Sequence, residues 1–131
     1  MFRSVRSAAV DVSAELQQLP TSHVSFQLEG AWFIVGPTGL FVVVADEGDV
    51  VEAADRATQR AVEVRTQLAR DVAWVPFVDA LVATQHDESC RTLPCITVPT
   101  HLLRYTLTEG PRAVDEETLA RLIRARLSHH R

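Results

Sequence analysis

The sequence predicts an α/β fold, a mixed sheet with helices on its faces, and three observations carry that expectation. Two apolar runs, Ala31 to Val35 and Leu40 to Ala45, are separated only by Gly36-Pro37-Thr38-Gly39. Continuous apolar runs joined by a tight-turn tetrapeptide read as two antiparallel strands, central in a sheet and covered on both sides. Residues 51–70 instead place Ala54, Ala57, Ala61, Val64 and Leu68 at three- and four-residue spacing, which is one face of a helix. At 131 residues the chain is long enough for one core, and no linker or repeat divides it, so residues 1–131 read as a single domain.

The remaining elements follow in chain order. Residues 2–18 put Val5, Ala8 or Ala9, Val12 and Leu16 at helical spacing, and Leu19-Pro20 ends that helix. Val24-Ser-Phe-Gln-Leu28 alternates as a half-buried strand does, and Glu29-Gly30 breaks it. Asp46 to Asp49 forms an acidic loop before the long helix. A third buried strand is expected within residues 72–82, around Trp74 to Val78, with Pro76 favouring an edge position or a strand start. Residues 84–91 read as a polar loop and residues 95–98 as a short last strand. Thr100 is expected to cap a short helix closed by Glu109-Gly110-Pro111. Asp115 caps a final helix that buries Leu119, Leu122, Ile123 and Leu127. The order is α-β-β-β-α-β-β-α-α.

Composition bounds the chemistry. The net charge of −4 opposes a domain whose main partner is nucleic acid, because phosphate binding rests on clustered positive charge. All 13 basic residues are Arg. A Walker-type phosphate loop and Schiff-base chemistry both need a Lys and are excluded for this chain acting alone. The Arg bias itself is what a GC-rich bacterial genome produces. No apolar run reaches the length of a membrane span. Asp11 and Glu15 interrupt the N-terminal segment before a signal-peptide core could form, so a cytoplasmic protein is expected.

The block Trp32-Phe-Ile-Val-Gly-Pro-Thr-Gly-Leu-Phe-Val-Val43, preceded by Leu16-x-x-Leu19-Pro20, resembles the nuclease-related domain (NERD) family of the restriction-endonuclease-like superfamily. That family's core reads approximately Asp-x-Asp-His, three apolar residues, Gly-Pro-x-Gly-Val-Phe-Val-Ile-Asp-x-Lys. The resemblance is strongest over residues 29–45 and implies a restriction-endonuclease-like core. It also places the family's functional positions. The first Asp falls on Glu29, the second on Ala31 and the His on Trp32, where an aromatic ring would fill the old cleft. The acid of strand three falls on Val44 and the Lys on Asp46. In such nucleases carboxylates hold a divalent metal that polarises the phosphate and activates water. Ala31 and Val44 cannot ligate Mg²⁺, and the Lys is missing. The resemblance therefore implies the fold and a degenerate, non-enzymatic domain without catalytic residues or cofactor, acting as a binding or scaffolding module. Its partner would be another protein or a second copy, with the Leu119, Leu122, Ile123 and Leu127 stripe as one candidate surface and nucleic acid bound weakly. The alternative is a relocated Mg²⁺-dependent nuclease site built from Glu29 and Asp46, with Gln59 nearby. Residue 46 shares a strand face with residue 44, so that pair is geometrically open.

Other constellations remain as expectations. His86, Cys90, Cys95 and His101 place four zinc-type ligands within 16 residues, but without paired C-x-x-C knuckles. Free thiols are the competing reading in a reducing compartment. A Cys nucleophile activated by His86 or His101 would be opposed by Asp87 and Glu88. His23 reads as a surface residue at a strand start. Arg56, Arg60 and Arg70 on one helix, and Arg121, Arg124 and Arg131 on the last, are diluted by acids and read as solvated helix faces.

Overall fold

A computed structural model describes residues 8–85 and 95–129. The elements are α1 (Ala8–Leu16), β1 (Val24–Leu28), β2 (Ala31–Gly36), β3 (Gly39–Ala45), α2 (Val50–Leu68), β4 (Val78–Thr84), β5 (Ile96–Pro99), a 3-10 turn (Thr100–Leu102), α3 (Leu103–Thr108) and α4 (Glu116–His129). The expected order and the mixed α/β class hold. The five strands form one sheet in sequence order, β1-β2-β3-β4-β5. β1, β2 and β3 form an antiparallel meander, and β4 and β5 add parallel to β3. A parallel neighbour requires a crossover, and the 19-residue α2 supplies it between β3 and β4.

β3 is the centre of the molecule: all seven of its residues are buried. Alternation divides its side chains between two cores. Leu40, Val42 and Val44 join Phe26, Ala31, Phe33 and Val35 under α2 and α4. Phe41, Val43 and Ala45 join Ile34, Leu81, Ala83 and Val98 under α1 and α3. The small α2 residues Ala53, Ala54, Ala57 and Ala61 let that helix lie close on the sheet, with Val64 and Leu68 completing the contact. Asp49 caps α2, its carboxylate accepting from the Glu52 backbone N–H at 3.1 Å. Asp115 does the same for α4, accepting from the Thr118 N–H at 2.8 Å. Each such cap satisfies one N–H that a helix start leaves unpaired.

Four expectations need correction. The third strand does not include Trp74 to Phe77 and starts at Val78, opposite Leu40. Pro76 has no N–H to give a ladder, the Val75 carbonyl is taken by the Arg65 guanidinium at 3.3 Å, and Trp74 and Phe77 stand 65% and 74% exposed. The last strand runs from Ile96 to Pro99, leaving Cys95 just before it. Thr100 caps nothing: its hydroxyl donates to the Thr84 carbonyl at 3.0 Å and ties the ends of β4 and β5 together. On α4, Leu122 and Ala125 are buried while Leu127 is 54% exposed, so the stripe is core up to that point and ends short of Leu127. The part of the first helix expected over residues 2–7 lies outside the described residues, as does most of the 84–91 loop.

Candidate functional site

The turn between β1 and β2 and the C-terminal ends of β3, β4 and β5 lie at the same end of the sheet, as the strand pairing requires. All the positions that the sequence resemblance marks are on or beside that end. Ala31 and Val44 point into the core beneath Ala53, Ala54 and Ala57, and Val44 is 0% exposed. A carboxylate at either position would be buried beneath a helix. Trp32 points to the opposite face, toward α1, so it does not fill space over Val44; the α2 alanines do. It forms a wall of a hollow of about 270 Å³ shared with Gln27, Glu47 and Arg56.

Glu29 and Asp46 make contacts that lead in different directions. The Glu29 side chain is 96% exposed and lies 3.7 Å from the Arg60 guanidinium, which also donates to the Glu29 carbonyl at 3.2 Å. Arg60 is in turn paired with Glu63 at 2.7 Å. Asp46 is held at the β3–β4 junction. Its N–H donates to the Ala83 carbonyl at 2.8 Å; its carboxylate accepts from the Gly48 N–H at 2.8 Å and from the Thr84 hydroxyl at 3.3 Å. Gln59 is an exposed residue on α2. The other loop acids are similarly occupied. Glu47 accepts from the Ala9 N–H at 3.2 Å at the start of α1, and Asp49 caps α2. Each of the three carboxylates closes a turn or a helix start, where negative charge is favoured.

Of the zinc-type residues, His86 and Cys90 lie outside the described residues. Cys95 is a buried free thiol in the core under α2. Burial, with Asp55 adding to it, pushes that thiol up, away from the thiolate a nucleophile or metal ligand needs. His101 is exposed and lines a second hollow, of about 290 Å³, with Asp11, Glu15, Gln85 and Thr100. One Glu15 carboxylate oxygen is buried there without a hydrogen-bond partner. Among the described residues no group of three or more His, Cys, Asp or Glu is placed to hold a metal ion.

Three of the helix cations are paired along their own helices, Arg56 with Glu52 at 2.7 Å, Arg60 with Glu63 at 2.7 Å and Arg121 with Glu117 at 2.5 Å, while Arg70 lies in the turn after α2 rather than on it and Arg131 lies outside the described residues. Arg126 is half-buried, donates to Gln67 at 3.1 Å, and is lowered from its usual range by burial. No described helix is long and apolar enough to cross a membrane.

By its sequence context His23 reads as a surface residue at a strand start. Its ring instead packs across Gly36 at the far end of the sheet and bonds to Thr38. The only sequence signal was the glycine at the end of β2, which marks a close approach without naming what approaches. No protein-family model, curated protein or solved structure matches this chain.

Proposed function

We propose that the chain is a non-catalytic binding or scaffolding module, a degenerate NERD-like domain that works through contacts with protein rather than through DNA chemistry. The observation that carries this reading is the burial of Ala31 and Val44 beneath the alanine face of α2, where the resemblance would need metal-binding carboxylates. The mixed sheet with helices on its faces supports the reading at the level of fold class. The loop acids Asp46, Glu47 and Asp49 are engaged with backbone N–H groups, which supports a structural role for them. Intrahelical pairing of Arg56 and Arg121 supports solvated faces rather than a phosphate-binding stripe.

The test is metal titration with DNA present. A ligand that binds only the folded state stabilises it by about 2.7 kcal/mol at roughly a hundred times its Kd. Mg²⁺ and Mn²⁺ are expected to leave the melting temperature unchanged and to support no cleavage of single- or double-stranded DNA. Labelled duplex at physiological salt is expected to bind more weakly than the Kd of about 10⁻⁴–10⁻⁶ M typical of non-specific binders. Metal-dependent cleavage lost in both Glu29→Ala and Asp46→Ala would replace this reading with a relocated nuclease site.

A further inference from the structure

The two edges of the sheet are built differently. β5 is four residues long and ends in Pro99. β1 is five residues, Val24-Ser-Phe-Gln-Leu28, and pairs in step with β2 over all five, without a bulge. Soluble proteins guard an exposed edge with charge, proline, a bulge or short length. β1 has no charged residue and no proline, and among the described residues no strand lies beyond it.

The direction of its free backbone groups follows from the pairing. β1 and β2 are joined by the two-residue loop Glu29-Gly30, with Leu28 opposite Ala31. Such a loop is closed by a hydrogen-bonded pair, and these pairs alternate along an antiparallel ladder. Val24, Phe26 and Leu28 therefore direct their N–H and C=O to β2, and Ser25 and Gln27 direct theirs outward. The β2–β3 hairpin, closed at Gly36 and Gly39, gives the same phase from the other side.

We propose that the free edge of β1 pairs two copies of this chain, antiparallel about Phe26, into a continuous ten-stranded sheet. This rests on the binding-module reading and names its surface. The strand is complementary to itself in that register. Ser25 of one copy faces Gln27 of the other, and each such pair exchanges two backbone hydrogen bonds. Val24 and Leu28, both half-buried beside Phe26, come alongside each other across the seam. No like charges meet within the strand, which matters for two copies each carrying a net charge of −4. Glu29, the nearest acid, falls opposite His23 of the second copy rather than opposite another acid.

Light scattering of the full chain after size exclusion tests this. The expected mass is about twice the 14.5 kDa of one chain. Ser25→Pro and Gln27→Pro each remove an outward N–H and no bond of the internal ladder, a position where an edge strand accepts proline. Both are expected to be monomers with unchanged far-UV circular dichroism. The double variant Ser25→Lys/Gln27→Lys, which keeps every backbone N–H, is expected to be monomeric for a different reason, repulsion across the seam. A monomeric mass for the unaltered chain overturns the proposal, and so does a dimer that survives both the proline and the lysine variants. A monomer that cleaves no DNA overturns the pairing alone. A dimer that cleaves DNA with metal supports the pairing and overturns the non-catalytic reading.

Discussion

The His23 imidazole lies across Gly36 so closely that a Cβ on the glycine would meet its Cδ2 at 2.2 Å and its Nε2 at 2.6 Å. The pairing of Val24 with Val35 sets the two residues opposite each other, one step beyond the end of the β1–β2 ladder. The ring then reaches the hairpin tip, with Nε2 3.3 Å from the Thr38 hydroxyl and Nδ1 3.0 Å from the Ser22 hydroxyl. Thr38 donates its one proton to the Leu107 carbonyl of α3. Its oxygen therefore accepts from the Nε2–H, and Nδ1 is left to accept from Ser22. Next to this contact the Pro37 carbonyl takes the N–H groups of Ala113 and Val114, at 2.7 and 3.1 Å. Four chain segments thus meet at the tip of one hairpin.

Gly36→Ala is expected to cost about 1–3 kcal/mol, because the added methyl group must displace a ring held on both nitrogens. The backbone at Gly36 has no positive φ, so the penalty comes from the ring and not from the main chain. The same substitution in a His23→Ala background removes the clash. Urea unfolding of the two single variants and the double variant is expected to give a coupling of about 0.5–3 kcal/mol. Simple additivity would mean that the ring moves aside without cost.

The same contact sets a pH dependence. Burial lowers His23 from its ordinary value, with the Leu107 carbonyl partly offsetting it. Between the lowered folded value and the usual 6.5, the unfolded chain binds more protons than the folded one, so stability rises with pH. The contribution is fully present above pH 6.5 and is lost as pH falls through the folded value. The groups that face the ring, Ser22, Thr38 and Leu107, are neutral and offer the imidazolium no counter-charge. Melting curves below pH 6.5 are expected to show a steeper loss for the unaltered chain than for His23→Gln. Parallel losses in the two proteins would remove His23 as the cause.

Much of this fold was legible because its signals are local. β1 and β3 stand almost where alternation and apolar continuity put them, and the Ala54–Leu68 periodicity marks the buried face of α2. The sequence starts the third strand too early because Trp74, Val75 and Phe77 look like a core strand by composition. What decided the matter was long-range: Leu40 provides the first parallel partner only at Val78. His23 escaped for the same reason, since nothing within its own segment announces a glycine thirteen residues later. The acids at 46, 47 and 49 read as a loop and helix start from the sequence, but their partners Thr84 and Ala9 are distant in sequence.

Placing carboxylates at the positions that the sequence resemblance marks tests whether they can serve as a site. Val44 is fully buried among Phe33, Val42, Ala53 and Ala57, so Val44→Asp places an unpaired charge in an apolar layer. A cost of about 3–5 kcal/mol at pH 7 is expected, near the upper end for single substitutions. The introduced acid escapes part of that cost by staying protonated. Its folded pKa is then raised, the folded state binds more protons, and the penalty shrinks as pH falls. Denaturant unfolding at pH 7 and pH 5 reads this directly. The double variant Ala31→Asp/Val44→Asp is expected to be less stable still, and Mg²⁺ is expected not to restore it, because α2 covers both positions with alanine and leaves no room for a hydrated ion. Mg²⁺ prefers octahedral oxygen coordination and keeps several of its waters. A clear rise in stability of the double variant with Mg²⁺ would show that α2 can lift away from the sheet and would reopen the nuclease reading for this frame.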